Sequence, residues 1–246
     1  IYVFGHTKYK STLLKNYINL DIKKNILQSN NKIYVEKFIE HEKSNPSDLI
    51  EIHNRPNYVK FLTHNTNTKL ILYFHNDPLT MNGSRSLSER RDLLKKTHKL
   101  VFNSKWSRDR FLQSFNKFEI PEDKLNVIYQ SSKKVKINFN KKRKIISFVG
   151  KLNSAKGYDL FGSAILKILD KYKDWKAIVI GDEPREKLTF KHKNLKILGF
   201  KPHKIVLNYF NVVSISVVCS RWDEPFGRTS LEASSRGCAL IISNKG

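Results

Sequence analysis

Short apolar segments alternate along this chain with longer segments of helical periodicity. In the first half, the apolar segments are rich in Ile, Val, Leu and Phe and occupy residues 1–4, 49–52, 70–74, 100–102 and 125–128. A second set occupies residues 145–149, 177–180, 195–198, 212–219 and 239–242. Alternation of this kind is typical of strand–helix–strand units that build parallel sheets.

The segments between these strands carry helix signals. Ser86 and Glu89 have the spacing of a capping box, which predicts a helix that begins there and continues through Leu93 and Leu94. Another helix is predicted after Ser104. Between the first two strands of the second set, one helical stripe is apolar: Leu160, Phe161, Ala164, Ile165, Ile168 and Leu169.

A Lys- and Asn-rich stretch at 131–144 interrupts the alternation and divides the chain. We therefore predict an N-terminal domain at 1–134, a linker at 135–144 and a C-terminal domain at 145–246. Each is expected to be a doubly wound, Rossmann-like α/β domain, with the two facing a cleft. In such sheets, ligands bind beyond the carboxyl ends of the strands, so the loops after the strands should carry the chemistry.

Composition excludes several classes of protein. A chain of 246 residues with 39% hydrophobic residues has enough material for one or two packed cores, and it shows no repeat. Its longest apolar runs fall far short of the roughly 18 residues that a transmembrane helix needs. The two cysteines, Cys219 and Cys238, are too few for a disulfide framework and lack metal-site spacing, which favours a cytoplasmic location.

The charge is strongly positive, with 46 Lys plus Arg against 22 Asp plus Glu and a net charge of +24. The cations are scattered, and neither an RNA-binding aromatic motif nor a zinc finger accompanies them, so we expect no nucleic-acid partner. Two interpretations stay open: peripheral contact with an anionic membrane, or a solvated basic surface.

The loop after the strand at 145–149 combines two glycines with two lysines. Gly150 and Gly157 allow the backbone to approach a ligand, and Lys151 and Lys156 place cations where a strand passes into a helix. This arrangement suits a phosphate group, although an ordinary surface loop has the same residue types.

The loop after the strand at 212–219 is more specific. Glu224 lies in the loop, and Glu232 follows eight residues later, an expected two turns into a helix. Pro225 and Gly227 should shape the start of that helix. The backbone N–H groups of Phe226, Gly227 and Arg228 would then be free to face an anion.

With these loops, the chain resembles the retaining glycosyltransferases of family 4, which have the GT-B fold. Four stretches carry the resemblance in the family's order and span nearly the whole chain. They are residues 48–56, which contain His-Asn-Arg-Pro; residues 70–78 with the Asn-Ser-Lys-Trp of 103–106; the Val-Gly-Lys-Leu of 149–152; and the Glu-x7-Glu of Glu224 and Glu232.

The resemblance implies roles for the residues that bind the donor. The donor would be a nucleotide-diphosphate sugar, with Lys151 and Lys156 as the phosphate-binding pair, although Lys151 stands where the family usually has Arg. Glu232 corresponds to the carboxylate that binds the ribose hydroxyls. Thr229 falls in the phosphate-facing turn. Phe200, after Gly199, is either beside the base or an ordinary core residue.

The resemblance also implies catalytic roles. Glu224 corresponds to the acidic residue beside the donor sugar, and His75 to a histidine that approaches the sugar from the N-terminal domain. A turn histidine with satisfied hydrogen bonds is the alternative for His75. The family's reaction retains the anomeric configuration and uses the departing phosphate to deprotonate the acceptor, with no cofactor and no metal ion.

A saccharide or lipid-linked acceptor in lipopolysaccharide, capsule or exopolysaccharide synthesis is implied in the same way. The family's glycine-rich loop after the first strand is missing from residues 1–11, and the family continues beyond residue 246, so we expect a chain truncated at both ends. Two alternatives remain: a nucleotide-sugar 2-epimerase of the same fold, and a non-catalytic protein that binds sugar nucleotides.

Overall fold

The computed structural model describes residues 1–6, 15–23 and 28–245, and it divides into two compact units at Ile128 and Tyr129. The predicted domain boundary at 134 lies six residues later. Within the predicted linker 135–144, Ile137 and Phe139 approach Gly237 of the second unit, and a strand already starts at Arg143. The expected absence of a glycine-rich loop at 1–11 falls partly outside the described residues.

The first unit is built on a four-stranded parallel sheet whose strands lie side by side in chain order. In chain order its elements are β1 (Val3–Gly5), β2 (Tyr17–Asn19), α1 (Asn30–Ser44), β3 (Leu49–His53), α2 (Asn57–Asn65), β4 (Lys69–Phe74), α3 (Leu87–Lys96), β5 (Lys99–Phe102), α4 (Lys105–Leu112) and β6 (Leu125–Val127). The first apolar segment does not join this sheet. Instead, β1 pairs in parallel with β2, a three-residue strand that the sequence pattern did not predict.

Local sequence signals fix the helices of this unit. Both capping-box hydrogen bonds between Ser86 and Glu89 are present at the start of α3, and the Ser104 side chain caps α4. In the core, the rings of Phe74, Phe102 and Phe111 pack with centroids 5.3–5.4 Å apart. This packing fixes the carboxyl ends of β4 and β5.

The second unit is a doubly wound sheet with all neighbouring strands parallel. Its elements are β7 (Arg143–Val149), α5 (Tyr158–Lys171), β8 (Lys176–Ile180), β9 (Leu195–Ile197), α6 (His203–Phe210), β10 (Val213–Val218), α7 (Arg228–Ser234) and β11 (Ala239–Ile242). The strand order across the sheet is β11-β10-β7-β8-β9.

Both faces of this sheet are buried, as the near-continuous apolar runs require. Along β8, Ala177 and Val179 pack in the core on the α5 side, whereas Ile178 and Ile180 belong to the core beneath α6 and α7. Successive side chains of a strand point to opposite faces, so a strand covered on both faces must be apolar throughout. The predicted α/β class with parallel sheets is confirmed.

Within the described ranges 1–6, 15–23 and 28–245, none of the helices combines the length and the apolar character that crossing a bilayer requires.

Candidate functional site

Two loops of the second unit leave the same edge of the sheet side by side. Strands β7 and β10 are parallel neighbours, with Phe148 opposite Val217, so the loops that follow them start together. They enclose a small pocket of about 60 Å³. Of the residues that the sequence analysis selected, six line this pocket: Gly150, Lys156, Glu224, Gly227, Arg228 and Thr229.

The loop after β7 folds into a short 3₁₀ turn at Ser154–Lys156 that presents Lys156. The Asn153 side chain caps the turn by accepting a hydrogen bond from the Lys156 backbone N–H at 3.0 Å. Gly157 is the N-cap of α5, with φ of 74°, and a Cβ at this position would lie 2.0 Å from the Cys219 carbonyl oxygen. Glycine is therefore required here by both the left-handed backbone and the close approach of the second loop.

Hydrogen bonds and an ion pair connect the loop after β10 to the loop after β7. The backbone N–H groups of Arg221 and Trp222 both donate to the Ala155 carbonyl, at 2.9 and 3.1 Å. The Arg221 guanidinium makes a bidentate ion pair with the Asp159 carboxylate, at 2.6 and 2.7 Å. It also donates a hydrogen bond to the Ser154 carbonyl at 2.6 Å. The hydrogen bonds from Arg221 hold the pKa of the Asp159 carboxyl below its ordinary value.

These contacts between the two loops bring together Lys156 and Glu224, which are 68 residues apart in sequence. The two side chains form a direct ion pair between Nζ and Oε1. The side chains are 32% and 24% exposed, so the pair is partly shielded from solvent but still open to it. Lys151 is exposed and lies outside the pocket lining. No ion pair is formed by Lys151 with any residue that the structure describes. The two predicted phosphate-binding lysines therefore differ in their surroundings.

The predicted position of Glu232, two turns into its helix, is wrong. Helix α7 starts at Arg228, with Gly227 as its N-cap at φ of 75°, so Glu232 lies one turn in and within hydrogen-bonding reach of Arg228. The chain from Glu224 to Gly227 is not helical because the left-handed N-cap glycine fixes the start later than expected. The first-turn N–H groups consequently belong to Arg228, Thr229 and Ser230.

Glu232 already has two cationic or potentially cationic partners. Its Oε1 accepts from His203 Nε2 at the start of α6 and from Arg228 Nη2, each at 3.0 Å. Its side chain is only 12% exposed, whereas the side chains of His203 and Arg228 are 59% and 63% exposed. Sequence reasoning missed His203, because nothing in its local sequence distinguishes it from any other helix-start histidine.

The two aromatic candidates lie outside the pocket lining. Phe200 is 71% exposed, so the alternative that it is a core residue is wrong. The ring of Phe226 packs against that of Tyr129, with centroids 6.2 Å apart. Phe200 therefore remains an accessible aromatic surface, and Phe226 helps to fix the entry into α7.

A third loop, after β8, supports the turn that carries Lys156 and was missed in the sequence. Glu186 accepts hydrogen bonds from the N–H and hydroxyl of Ser154, both at 2.9 Å. Glu183 accepts a hydrogen bond from Asn153 Nδ2 at 3.4 Å. Its bidentate ion pair with Arg185 lowers the pKa of the Glu183 carboxyl to about 2. The clustered charges at 182–186 were a signal that could have been followed.

His75 lies in the first unit, directly after β4. Its backbone N–H donates to Asn54 Oδ1 at 2.9 Å, its carbonyl accepts from Asn103 Nδ2 at 2.9 Å, and its Nε2 lies 3.0 Å from His53 Nδ1. The ring is thus held by neighbours at the carboxyl ends of the strands. Burial and, secondarily, the neighbouring His53 lower the pKa of His75 below its ordinary value of 6.5.

Among the described residues there is no group of three or more His, Cys, Asp and Glu side chains arranged to hold a metal ion. The independence from metal ions that the sequence predicts therefore stays a prediction.

The chain is similar to known glycosyltransferases over part of their length. Residues 130–246 match the family described as glycosyl transferases group 1. The putative glycosyltransferase YtcC of Bacillus subtilis is 23% identical and is aligned over 87% of this chain and 59% of its own length. The lipopolysaccharide core biosynthesis mannosyltransferase LpsB of Rhizobium meliloti is 26% identical over 53% of this chain and 38% of its own.

Among solved structures, Anabaena Alr3699/HepE in complex with UDP-glucose superimposes with a TM-score of 0.65 at 16% identity. The match covers 89% of this chain and 66% of HepE. This chain thus spans 59% of YtcC and 66% of HepE. The fold is that of the GT-B glycosyltransferases, and its second unit matches the glycosyl transferases group 1 family.

Proposed function

We propose that the protein is a retaining, metal-independent glycosyltransferase of family 4. It moves a sugar from a nucleotide-diphosphate donor to a saccharide or lipid-linked acceptor. The observation that carries the proposal is the Lys156–Glu224 ion pair in the pocket at the carboxyl ends of β7 and β10. A cation and a carboxylate in contact there provide a partner for each of the two charges that develop when a sugar leaves a diphosphate.

The leaving group sets the first requirement. As the bond between the anomeric carbon and the diphosphate breaks, negative charge grows on the phosphate oxygens, and fixed cations stabilise that state most directly. Lys156 is held for this role by the Asn153 cap and by the third loop. Lys151 supplies a second, exposed cation. A charge-assisted hydrogen bond of this kind contributes about 1.5–3 kcal/mol.

The sugar sets the second requirement, since positive charge grows on its ring as the diphosphate departs. Glu224 is the carboxylate of the pocket, and beside an oxocarbenium-like sugar it stabilises the transition state more than the ground state. In the retaining reaction, the departing phosphate takes the proton of the attacking hydroxyl. We assign His75, in the first unit, to a hydroxyl group of the sugar substrate.

Glu232 binds the ribose hydroxyls in this proposal. Its carboxylate is held by His203 and Arg228 at a fixed position one turn into α7, and a carboxylate accepts hydrogen bonds from two neighbouring hydroxyls well. The exposed ring of Phe200 provides a face for the base. UDP-sugars are the first donors to test, because HepE was solved with UDP-glucose.

The acceptor belongs, in our proposal, to cell-envelope polysaccharide synthesis at the cytoplasmic side of the membrane. Similarity to LpsB supports a lipopolysaccharide-type acceptor, and the net charge of +24 supports peripheral contact with anionic lipid.

A donor screen tests the proposal. The full-length protein is incubated with a panel of nucleotide sugars and a panel of lipid-linked and free saccharide acceptors, in EDTA. NMR then assigns the anomeric configuration of the product. We expect transfer with retention that EDTA does not abolish. Inversion, a strict metal requirement, or an epimerised sugar nucleotide formed without acceptor would each contradict the proposal.

A further inference from the structure

Three aromatic rings stack at the carboxyl ends of β3 and β4 in the first unit. His53 ends β3 opposite Tyr73 of β4, and its ring lies 4.6 Å from that of Tyr73 at an interplanar angle of 18°. The ring of His75 lies 5.3 Å from that of His53 at 6°. Glu51, two residues before His53 on the same strand face, accepts from the Tyr73 hydroxyl at 3.3 Å. The stack fixes the ring planes.

The contacts within this stack determine where the protons lie. Only one proton fits between His53 Nδ1 and His75 Nε2, which are 3.0 Å apart. Glu51 Oε2 lies 3.6 Å from His53 Nε2. A carboxylate only accepts hydrogen bonds, so it favours the proton on His53 Nε2 and leaves a lone pair on His53 Nδ1. His75 Nε2 must then be the donor to that lone pair.

We propose that Glu51 and His53 are positioning residues that hold His75 in the tautomer protonated at Nε2. His75 Nδ1 then carries a lone pair that accepts a hydrogen bond from a hydroxyl group of the sugar substrate. His75 Nδ1 has no hydrogen-bond partner in the part of the chain that the structure describes. The inference rests on the proposed function, in which His75 meets the sugar.

The backbone contacts of His75 agree with this role. Asn54 and Asn103 hold the peptide groups on either side of its ring, so the ring orientation is set by the chain and the tautomer by His53. Glu51 and Tyr73, both on the strands, are ionisable groups that contact the stack. The lowered pKa of His75 keeps the ring neutral, as an acceptor must be.

The direct test is nitrogen NMR of the full-length protein labelled at histidine. In the wild type we expect the resonance of an unprotonated nitrogen at His75 Nδ1 and of a protonated nitrogen at Nε2. His53→Phe keeps the ring that stacks on Tyr73 but removes both nitrogens, so His75 should become a mixture of tautomers. The opposite tautomer in the wild type, or an unchanged tautomer in His53→Phe, overturns the inference.

Kinetics supply the second readout. With the donor and acceptor from the screen, His53→Phe should lower kcat/KM about tenfold, the effect of losing one well-placed hydrogen bond. It should also move the acid limb of the pH profile upward, because His53 no longer lowers the pKa of His75. Glu51→Gln should lower kcat/KM by a smaller factor, because His53 loses the carboxylate that favours its tautomer. His98→Phe, at the opposite end of the sheet before β5, is the matched control and should change neither.

Failures of the two proposals are distinguishable. An unchanged kcat/KM and pH profile in His53→Phe, in an enzyme that transfers sugar, refutes the positioning role alone. A protein that transfers no sugar with any donor refutes the proposed function, and the NMR result still decides which nitrogen of His75 carries the proton.

Discussion

Replacing Glu224 by glutamine should strengthen the binding of a nucleoside diphosphate and, at the same time, slow sugar transfer. The Lys156 ammonium is paired with the Glu224 carboxylate. A diphosphate must compete with that carboxylate for the lysine and also approaches its negative charge. Glutamine has the same shape but removes the competing charge, whereas the chemical step loses the carboxylate beside the sugar.

The exposure of the pair sets the size of the effect. Exposed ion pairs contribute about 0.2–1 kcal/mol, and the Lys156–Glu224 side chains, at 32% and 24% exposure, belong toward the upper end of that range. We therefore expect Glu224→Gln to tighten UDP binding by up to about 1 kcal/mol, which is about fivefold. Lys156→Ala removes a charge-assisted hydrogen bond worth about 1.5–3 kcal/mol, so binding should weaken at least tenfold to a hundredfold.

Calorimetric titration with UDP, which contains the diphosphate but no sugar, separates binding from chemistry. The double variant Lys156→Ala with Glu224→Gln should bind UDP more tightly than Lys156→Ala alone, since the unpaired carboxylate is gone. Asp174→Asn removes a carboxylate from an exposed pair with Lys144 in the same unit and should leave the Kd unchanged.

The kinetic arm completes the test, because Glu224→Gln should lower kcat while UDP binds more tightly. If Glu224→Gln weakens UDP binding or leaves it unchanged, Glu224 does not compete with the diphosphate. If kcat is unchanged, Glu224 does not act on the sugar.

Three further outcomes are expected. Glu232→Gln should mainly raise the KM for the donor, since ribose is bound equally in the ground and transition states; a change in kcat alone would contradict this. Gly157→Ala should lower the free energy of unfolding by about 2 kcal/mol or more in denaturant titrations, whereas Gly199→Ala, at φ of 67° but with nothing within 4 Å of a Cβ, should lose about 1 kcal/mol. Equal losses would show that the Cys219 carbonyl gives way. Finally, the protein should bind anionic vesicles in a salt-sensitive manner, at about 1 kcal/mol per lysine near the surface, and equal partitioning onto neutral vesicles would refute this.

Much of the fold could be predicted because its signals are short-range. The strands of both parallel sheets fall on the apolar runs, and the capping box of Ser86 and Glu89 marks the start of α3. Burial on both faces of the second unit's sheet forces continuous apolar character, burial on one face of the first unit's sheet forces alternation, and a cap acts within one turn. Each of these signals can be seen in a few neighbouring residues. The strand β2 was not predicted, because three residues of mixed polarity carry no such signal.

The candidate site was only partly predictable, for the same physical reason. The sequence alone indicated the residue types and the two loops that contain Lys156 and Glu224. Strand order decided that β7 lies beside β10, and only that adjacency lets these residues, 68 positions apart, form an ion pair.

Other features of the site were decided by tertiary contacts alone. Contact between α6 and α7 placed His203 against Glu232, 29 residues away. Parallel pairing of β3 and β4 placed His53 against His75, 22 residues away. Contacts between distant segments depend on how whole strands pair, and no local pattern of residues encodes that pairing.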